Sequence, residues 1–186
     1  FTGNKRVLPA LLRLASAADS ENISANYQQK SATDRTISLD DVEARAEWLE
    51  ETFFPHARAT IVFANKHNLN PLEVRGSGAG AIGLAQFLPG NVFLHGVDGD
   101  QDGTVDPFSV ADAIPSVAAY LRNHGWHSLL IPNDQKRQVI ADYNRSTPYI
   151  DLVLSLASRL EAQIKRVQTQ EVDERNRRKN PVSLRS

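Results

Sequence analysis

The segment between residues 76 and 103 constrains the fold of this 186-residue chain more than any other part of it. Its first part holds four glycines between residues 76 and 83, which allow positive φ angles and a close approach to the backbone. They lead to one polar side chain, Gln86, within an apolar run. Such a segment can be a helix-packing site, a flexible loop or a bare surface for a ligand ring. It is not a P-loop, because no Lys-Ser/Thr pair follows, or a dinucleotide-binding turn, because no strand is predicted before it.

The last part of this segment has the spacing of a calcium-binding loop. Three carboxylates occupy positions 1, 3 and 5 of an EF-hand-like loop: Asp98, Asp100 and Asp102. Gly103 stands at the sharp turn, and Thr104 follows with its carbonyl group. Position 12 is Ser109 where the pattern has Glu, and the next carboxylate is Asp112, so a longer loop is expected. Hard oxygen ligands favour Ca²⁺ over a transition metal. The alternative is an acidic turn without an ion, in which the carboxylates would repel each other.

Composition excludes several other classes. The formal net charge of −1 gives no electrostatic case for nucleic acid or acidic membranes. No apolar run is long enough to span a bilayer, and no signal-peptide pattern occurs in this stretch. The chain has no Cys, and its five His residues show no i, i+4 pair, so neither a zinc site nor a Cys/His nucleophile is indicated. Met is also absent, including at position 1, so we expect a processed or partial chain.

Apolar periodicity predicts a mainly α fold without a confident strand. Ser38 and Asp41 form a capping-box pattern, Gly125 is suited to a helix C-terminus, and Pro115 must lie in a first turn or bend its helix. The predicted helices cover residues 7–18, 38–52, 55–67, 79–87, 111–123, 135–144 and 149–168.

Two polar segments are expected to lie outside the core. Residues 19–34 are rich in Ser, Asn, Gln and Thr and are predicted to form an exposed surface excursion. Residues 165–186 are strongly charged and are predicted to continue a solvated helix into a tail, with a docking element as the alternative. The expected organisation is therefore one domain over 1–164, with an inserted surface segment at 19–40, and a charged extension or tail over 165–186.

Tyr143, Asn144 and Tyr149 form a polar aromatic block at a predicted helix end. Such residues most often cap the backbone or close a core. The alternative is that they line a groove in which aromatic rings stack on sugar faces.

Several short segments, in this order, carry a resemblance to the MltB-type lytic transglycosylases, lysozyme-like enzymes that cut the glycan of bacterial peptidoglycan. They are Phe1-Thr2-Gly3-Asn4, Arg45-Ala46-Glu47, Asn70-Pro71-Leu72-Glu73, Ala79-Gly80-Ala81-Ile82-Gly83, Gln86-Phe87, the Asp98 loop, His124-Gly125-Trp126 and Tyr143-Asn144. The resemblance runs through most of the chain. It departs from the family pattern at the insertion and at Pro115, where the family commonly has Gly.

The resemblance implies a lysozyme-like helical domain with an EF-hand-like metal loop and a glycan-binding groove. The substrate-binding residues that it implies are Arg45, Ser77, Gln86, Tyr120, Tyr143, Asn144 and Tyr149. The metal ligands that it implies, for a structural Ca²⁺, are Asp98, Asp100, Asp102, Thr104 and Asp112.

The family reaction needs one glutamate, which protonates the glycosidic oxygen and then acts as base while the muramoyl C6 hydroxyl attacks C1. The product is a 1,6-anhydro sugar, so the second carboxylate of ordinary glycosidases is not required. In the family this glutamate stands a few residues before the segment that Phe1 begins here, so no catalytic residue is expected within the chain. Glu47 and Glu73 are the nearest internal substitutes, although each falls on a family position with another role.

Three functions remain open from the sequence. The chain can be part of an active transglycosylase, a non-catalytic peptidoglycan-binding or scaffold module, or a calcium-stabilised interaction domain. The resemblance implies a location in the cell envelope, in the periplasm, with peptidoglycan strands as partner. It also leaves room for a protein partner or an N-terminal segment that completes the groove.

Overall fold

The computed structural model describes residues 3–128 and 130–179, and the chain divides into two compact units, residues 1–120 and 121–186. The described residues are mainly helical, as the sequence predicts. Their elements are β1 Lys5–Arg6, α1 Val7–Ala15, α2 Ser20–Ser31, α3 Leu39–Lys66, a 3₁₀ helix Pro71–Glu73, β2 Arg75–Gly76, α4 Pro89–His95, α5 Val110–Asn123, α6 Asn133–Tyr143 and α7 Thr147–Lys179.

Helix α3 is the central element of the first unit, and α1, α2, α4 and the 3₁₀ helix pack against it. It begins with the predicted capping box, in which Ser38 and Asp41 bond to each other's backbone N–H groups. The prediction of two helices divided at Pro55 was wrong, because a single helix continues through this residue. A proline removes one backbone hydrogen bond. Burial of Ala57 and Phe63 beyond it keeps the helix in place.

Helix α2 occupies most of the segment that was expected to be a surface excursion. Asp19 caps it by accepting a hydrogen bond from the Glu21 N–H at 3.0 Å. None of its residues is buried, so the expected exposure is confirmed while the regular structure was missed. No apolar periodicity indicated this helix, because polar side chains occupy most of its surface.

Two further differences concern the glycine segment. Strands β1 and β2 pair antiparallel, with Lys5 opposite Gly76, although no strand was predicted. The helix predicted over residues 79–87 is absent, because Gly80 and Gly83 adopt positive φ angles of 85° and 71°. Here the Ile82 N–H donates to the Phe87 carbonyl at 2.8 Å, which folds the segment back on itself.

The second unit holds α6 and α7, whose packing buries Val139, Ile140 and Ile150. Helix α7 extends to Lys179, well beyond the predicted end near residue 168, and its side chains are exposed from Ser155 to Asn176. The predicted domain boundary at 164/165 falls inside this helix and stays a prediction. Residues 1, 2, 129 and 180–186, which include part of the predicted N-terminal motif and tail, lie outside the described residues.

Candidate functional site

The loop that follows α4 is folded around its own carboxylates. Asp98 accepts hydrogen bonds from the backbone N–H groups of Asp102, at 3.1 Å, and of Gly103, at 2.8 Å. Gln101 and Gly103 have positive φ angles of 63° and 92°, which let the chain turn tightly enough for these bonds. The sequence therefore builds a compact acidic loop at the predicted place.

Asp112 joins the two ends of this loop to the first turn of α5. Its side chain is buried, with 2% of the residue exposed. One carboxylate oxygen accepts from the Gly99 N–H at 2.8 Å and the other from the Asp106 N–H at 2.7 Å. A buried carboxylate that accepts two backbone N–H groups is satisfied and fixes both segments.

Three of the predicted metal ligands converge. Asp98, Asp100 and Asp112 each place one ligand oxygen within 4.8 Å of the other two. Partial desolvation raises the pKa of Asp100, and the carboxylates of Asp102, Asp112 and Asp98 add to this effect. A divalent cation would relieve this repulsion, and three hard carboxylate oxygens are the ligand chemistry that Ca²⁺ prefers. These residues fit a calcium ion.

The other two predicted ligands are engaged with each other. The hydroxyl and the backbone N–H of Thr104 donate to one carboxylate oxygen of Asp102, at 2.7 and 2.8 Å. These bonds lower the pKa of Asp102. Asp102 is therefore not one of the three carboxylates that converge.

Ser77 and Gln86 mark the two ends of the glycine segment. The Ser77 hydroxyl oxygen accepts from the backbone N–H of Ala81 at 3.0 Å and that of Ala79 at 3.3 Å, so it holds the turn. Gln86 is exposed at a positive φ of 50°, and its side-chain amide donates to the Gly83 carbonyl at 2.8 Å. Its conformation is therefore set by the glycine turn before it.

Tyr120 lies below this segment in an aromatic cluster and is 6% exposed. Its ring centroid lies 5.6 Å from that of Phe87 and 4.8 Å from that of His95. Tyr120 therefore supports the chain next to Gln86 from within the core.

Arg45 lies on the exposed surface of α3, apart from the glycine segment along the chain. Its guanidinium carbon lies 4.2 Å from the ring centroid of Trp48, which is itself 46% exposed. A cation over an exposed indole forms a flat polar surface.

In the second unit, the rings of Tyr143 and Tyr149 are stacked, with centroids 6.4 Å apart and planes 2° from parallel. Asn144 lies between these two residues in the sequence, and its side-chain oxygen accepts a hydrogen bond from the Ser146 N–H at 3.0 Å. The block predicted from the sequence is thus brought together at the junction of α6 and α7.

Sequence reasoning missed two contacts that join distant segments. One carboxylate oxygen of Glu73 accepts a hydrogen bond from the Arg6 guanidinium group at 2.8 Å, and the other accepts one from Arg75 at 3.0 Å. These ion pairs join the 3₁₀ helix to the strand pair. His56 on α3 accepts a hydrogen bond from the Gly90 N–H of α4 at 3.1 Å. The contacts of Glu73 with Arg6 and of His56 with Gly90 have no local sequence signal, because these partners lie far apart along the chain.

The sequence of the first unit matches a known protein family. Residues 1–130 match the family described as the transglycosylase SLT domain. The chain therefore belongs to this lytic transglycosylase family, which confirms the resemblance in the sequence.

Known relatives agree with this assignment. Membrane-bound lytic murein transglycosylase B of Escherichia coli (strain K12) is 37% identical over 76 residues, which are 41% of this chain and 21% of that protein. The match thus spans about a fifth of that relative's length. Among the described residues, no helix is both long and apolar enough to cross a bilayer.

Solved structures include two lytic transglycosylases. Soluble lytic transglycosylase SltB1 of Pseudomonas aeruginosa has a TM-score of 0.57 at 24% identity, covering 84% of this chain and 63% of its own, so the likeness concerns the fold. The Escherichia coli lytic transglycosylase SLT35, in complex with calcium, has a TM-score of 0.44 at 30% identity, covering 67% of this chain and 31% of its own.

Proposed function

We propose that this chain is the glycan-binding part of a peptidoglycan lytic transglycosylase that acts in the cell envelope, in the periplasm. The observation that carries the proposal is the family match over residues 1–130, which contains both the glycine segment and the acidic loop. The partner is then a peptidoglycan strand, a neutral sugar backbone with peptide side chains. A near-neutral chain with exposed amide, hydroxyl and aromatic groups is suited to such a ligand.

The proposed substrate contacts fall into two groups. In the first unit, Gln86 and Ser77 would hydrogen-bond to sugar hydroxyl and acetamido groups. Tyr120 would support the glycine segment from the core, and Arg45 would contact a peptide or a sugar. In the second unit, Tyr143, Asn144 and Tyr149 would offer ring faces and an amide. The exposure of Gln86 and its fixed backbone conformation support the first group, because a rigid donor and acceptor loses little entropy on binding.

The proposed reaction is the cleavage of the MurNAc–GlcNAc bond. A carboxylic acid gives its proton to the glycosidic oxygen as the bond from that oxygen to C1 breaks. The same carboxylate then takes the proton of the muramoyl C6 hydroxyl as its oxygen bonds to C1, which yields a 1,6-anhydro product and leaves the acid regenerated.

Neither internal candidate suits the role of this acid. Glu73 accepts hydrogen bonds from two guanidinium groups, those of Arg6 and Arg75, so both of its carboxylate oxygens are already engaged in structural contacts. Glu47 is exposed on α3, far along the chain from the glycine segment that holds Ser77 and Gln86. We therefore propose that the proton donor is supplied by a residue that precedes Phe1 in the longer protein.

The proposed cofactor is a structural Ca²⁺ held by Asp98, Asp100 and Asp112 in an EF-hand-like loop, with Asp102 and Thr104 as further ligands after a small rearrangement. Its role is to neutralise the loop and to fix the segment between α4 and α5. Because glycan cleavage needs only a proton transfer and an internal nucleophile, the ion takes no part in the chemistry.

A binding experiment tests the proposed function. Isothermal titration of the 1–186 chain with a soluble GlcNAc–MurNAc muropeptide should give saturable binding, and Gln86→Ala should weaken it about tenfold by removing hydrogen bonds. Gln29→Ala on the exposed face of α2 is the matched control and should bind as the wild type does. Absence of binding, or equal loss in both variants, would contradict the proposal. Binding without cleavage even after the preceding native segment is restored would favour the alternative, a non-catalytic peptidoglycan-binding or scaffold module that a protein partner completes.

A further inference from the structure

Helix α4 is a seven-residue helix whose N-terminus has no local cap. Leu88 at the N-cap position has no side-chain acceptor, and Pro89 has no N–H to donate. The first N–H group of the helix that needs an acceptor from outside the helix is therefore that of Gly90. It donates to the Nδ1 atom of His56 on α3 at 3.1 Å. A side chain 34 positions away along the chain therefore caps the N-terminus of α4.

The hydrogen bond between Gly90 and His56 places specific requirements on both residues. A Cβ atom at position 90 would lie 2.6 Å from His56 Nδ1, so only glycine allows this approach. Nδ1 can accept only while it carries no proton, which makes the bond specific to the neutral imidazole. His56 is half-buried, and this burial lowers its pKa below the ordinary value of 6.5.

Burial rather than a neighbouring charge is the cause of this shift. The charged and titratable side chains on the elements around His56 are exposed or half-exposed, and among the described residues none makes an ion pair with it. The nearest to His56 along α3 are Glu51 and Arg58, and the packed elements carry Arg13 on α1, Glu21, Tyr27 and Lys30 on α2, Glu73 on the 3₁₀ helix and His95 on α4.

Helix α4 also joins the two parts of the candidate site. Gln86 lies just before its N-cap, and its last residue, His95, packs on the Tyr120 ring. Directly after it, the Val97 N–H donates to the Ser116 hydroxyl oxygen at 2.9 Å, and Asp98 follows. A shift of α4 would therefore move both the proposed glycan contact and the proposed calcium loop.

We propose that His56 is a positioning residue that fixes α4 through the Gly90 N–H, and that protonation of His56 in mild acid releases this hold and weakens glycan binding. This proposal rests on the proposed function, because Gln86 is the group that α4 positions for the glycan. The folded chain binds fewer protons at His56 than the unfolded chain does. The contribution of His56 is thus fully present above about pH 6.5 and is lost as the pH falls through the folded-state pKa.

Amide hydrogen exchange measured by NMR on the full 1–186 chain tests this role. His56→Leu keeps the volume and removes the acceptor, so the protection factor of the Gly90 amide should fall about threefold to tenfold at pH 7.5. His56→Asn places its Oδ1 near the position of Nδ1 and does not titrate. It should retain most of the Gly90 protection and lose the fall in protection that the wild type shows between about pH 7.5 and 5.5. His127→Asn, at an exposed histidine, should behave as the wild type does.

Muropeptide binding by the same samples separates the two proposals. The affinity of the wild type should fall over this pH range by about the factor seen at Gly90, and that of His56→Asn should not. Equal Gly90 protection in His56→Leu and the wild type, or the same acid-dependent loss in His56→Asn, would overturn the role of His56. Absence of muropeptide binding by the wild type at pH 7.5 would instead contradict the proposed function, while the exchange result at Gly90 would stand.

Discussion

The loop segments of the first unit and the long helix of the second are held in different ways. Between residues 76 and 112, backbone N–H groups are bonded to side chains from other positions, as at Asp112 and His56. From Ser155 to Asn176, α7 exposes its side chains, and its backbone is bonded within the helix itself. Tertiary contacts therefore fix the candidate site, whereas α7 in this region depends on local helix propensity.

The largest expected difference concerns matched leucines. Leu11 is fully buried beneath the glycine segment, where a Cβ at Gly80 would collide with it. Leu11→Ala should lower the free energy of unfolding by about 2–5 kcal/mol because it leaves a cavity. Leu160→Ala on α7, where Leu160 is 50% exposed, should change it by less than about 0.5 kcal/mol. Urea unfolding measures both values, and equal losses would show that α7 is part of the same core.

Calcium should act on the first unit alone. An ion that binds only the folded loop stabilises it by about 2.7 kcal/mol at a hundred times its dissociation constant, so the melting temperature should rise with Ca²⁺ and fall with a chelator. Asp112→Asn should abolish this rise, since it removes a charged ligand and one acceptor from the cluster. Asp173→Asn on α7 is the control and should leave the rise unchanged. A melting temperature that does not respond to calcium would contradict the proposed site.

A smaller effect is expected at the start of α3. Ser38→Ala removes the side chain that caps the Asp41 N–H at 3.1 Å and should cost about 1 kcal/mol of unfolding free energy. Helix α6 begins after Pro132, which makes no side-chain cap, so Asn133→Ala should cost less. A larger loss in α6 than in α3 would show that the capping box contributes little.

The smallest effect should appear as a dependence on acid. Hydrogen bonds from the Ser38 hydroxyl and N–H lower the pKa of Asp41 below 3.8. The folded chain therefore holds fewer protons there, and the contribution of Asp41 is present above about pH 5 and is lost as the pH falls through the folded-state pKa. In Ser38→Ala, NMR titration of Asp41 should give a value close to the ordinary one. An unchanged titration would show that these bonds are not the cause.

The sequence predicted those features that have a local pattern. The capping box at Ser38, the acidic loop with Gly103 at its turn and the helix end before Gly125 each depend on neighbouring residues. Helix α2 has no apolar periodicity, and the continuation of α3 through Pro55 depends on burial further along the helix. These features were therefore beyond local reasoning.

The candidate site also contains features that local sequence patterns do not predict. The carboxylates that converge are Asp98, Asp100 and Asp112, while the spacing alone gave Asp102 an equal place. Thr104 donates to Asp102 twice, and this competing bond has no signal in a metal-loop pattern. The bond between His56 and Gly90 joins two helices and could not be read from either segment alone.

The central proposal is that this chain holds the glycan and that the proton donor lies outside residues 1–186. The most direct test is to incubate the 1–186 chain with purified peptidoglycan, with and without the native segment that precedes Phe1, and to quantify 1,6-anhydromuropeptides by mass spectrometry. We expect the chain alone to sediment with peptidoglycan but to form these products at least about 10²-fold more slowly than the extended protein, because general acid catalysis is absent. Equal rates of product formation by the two proteins would contradict this proposal and would place the acid among residues 1–186.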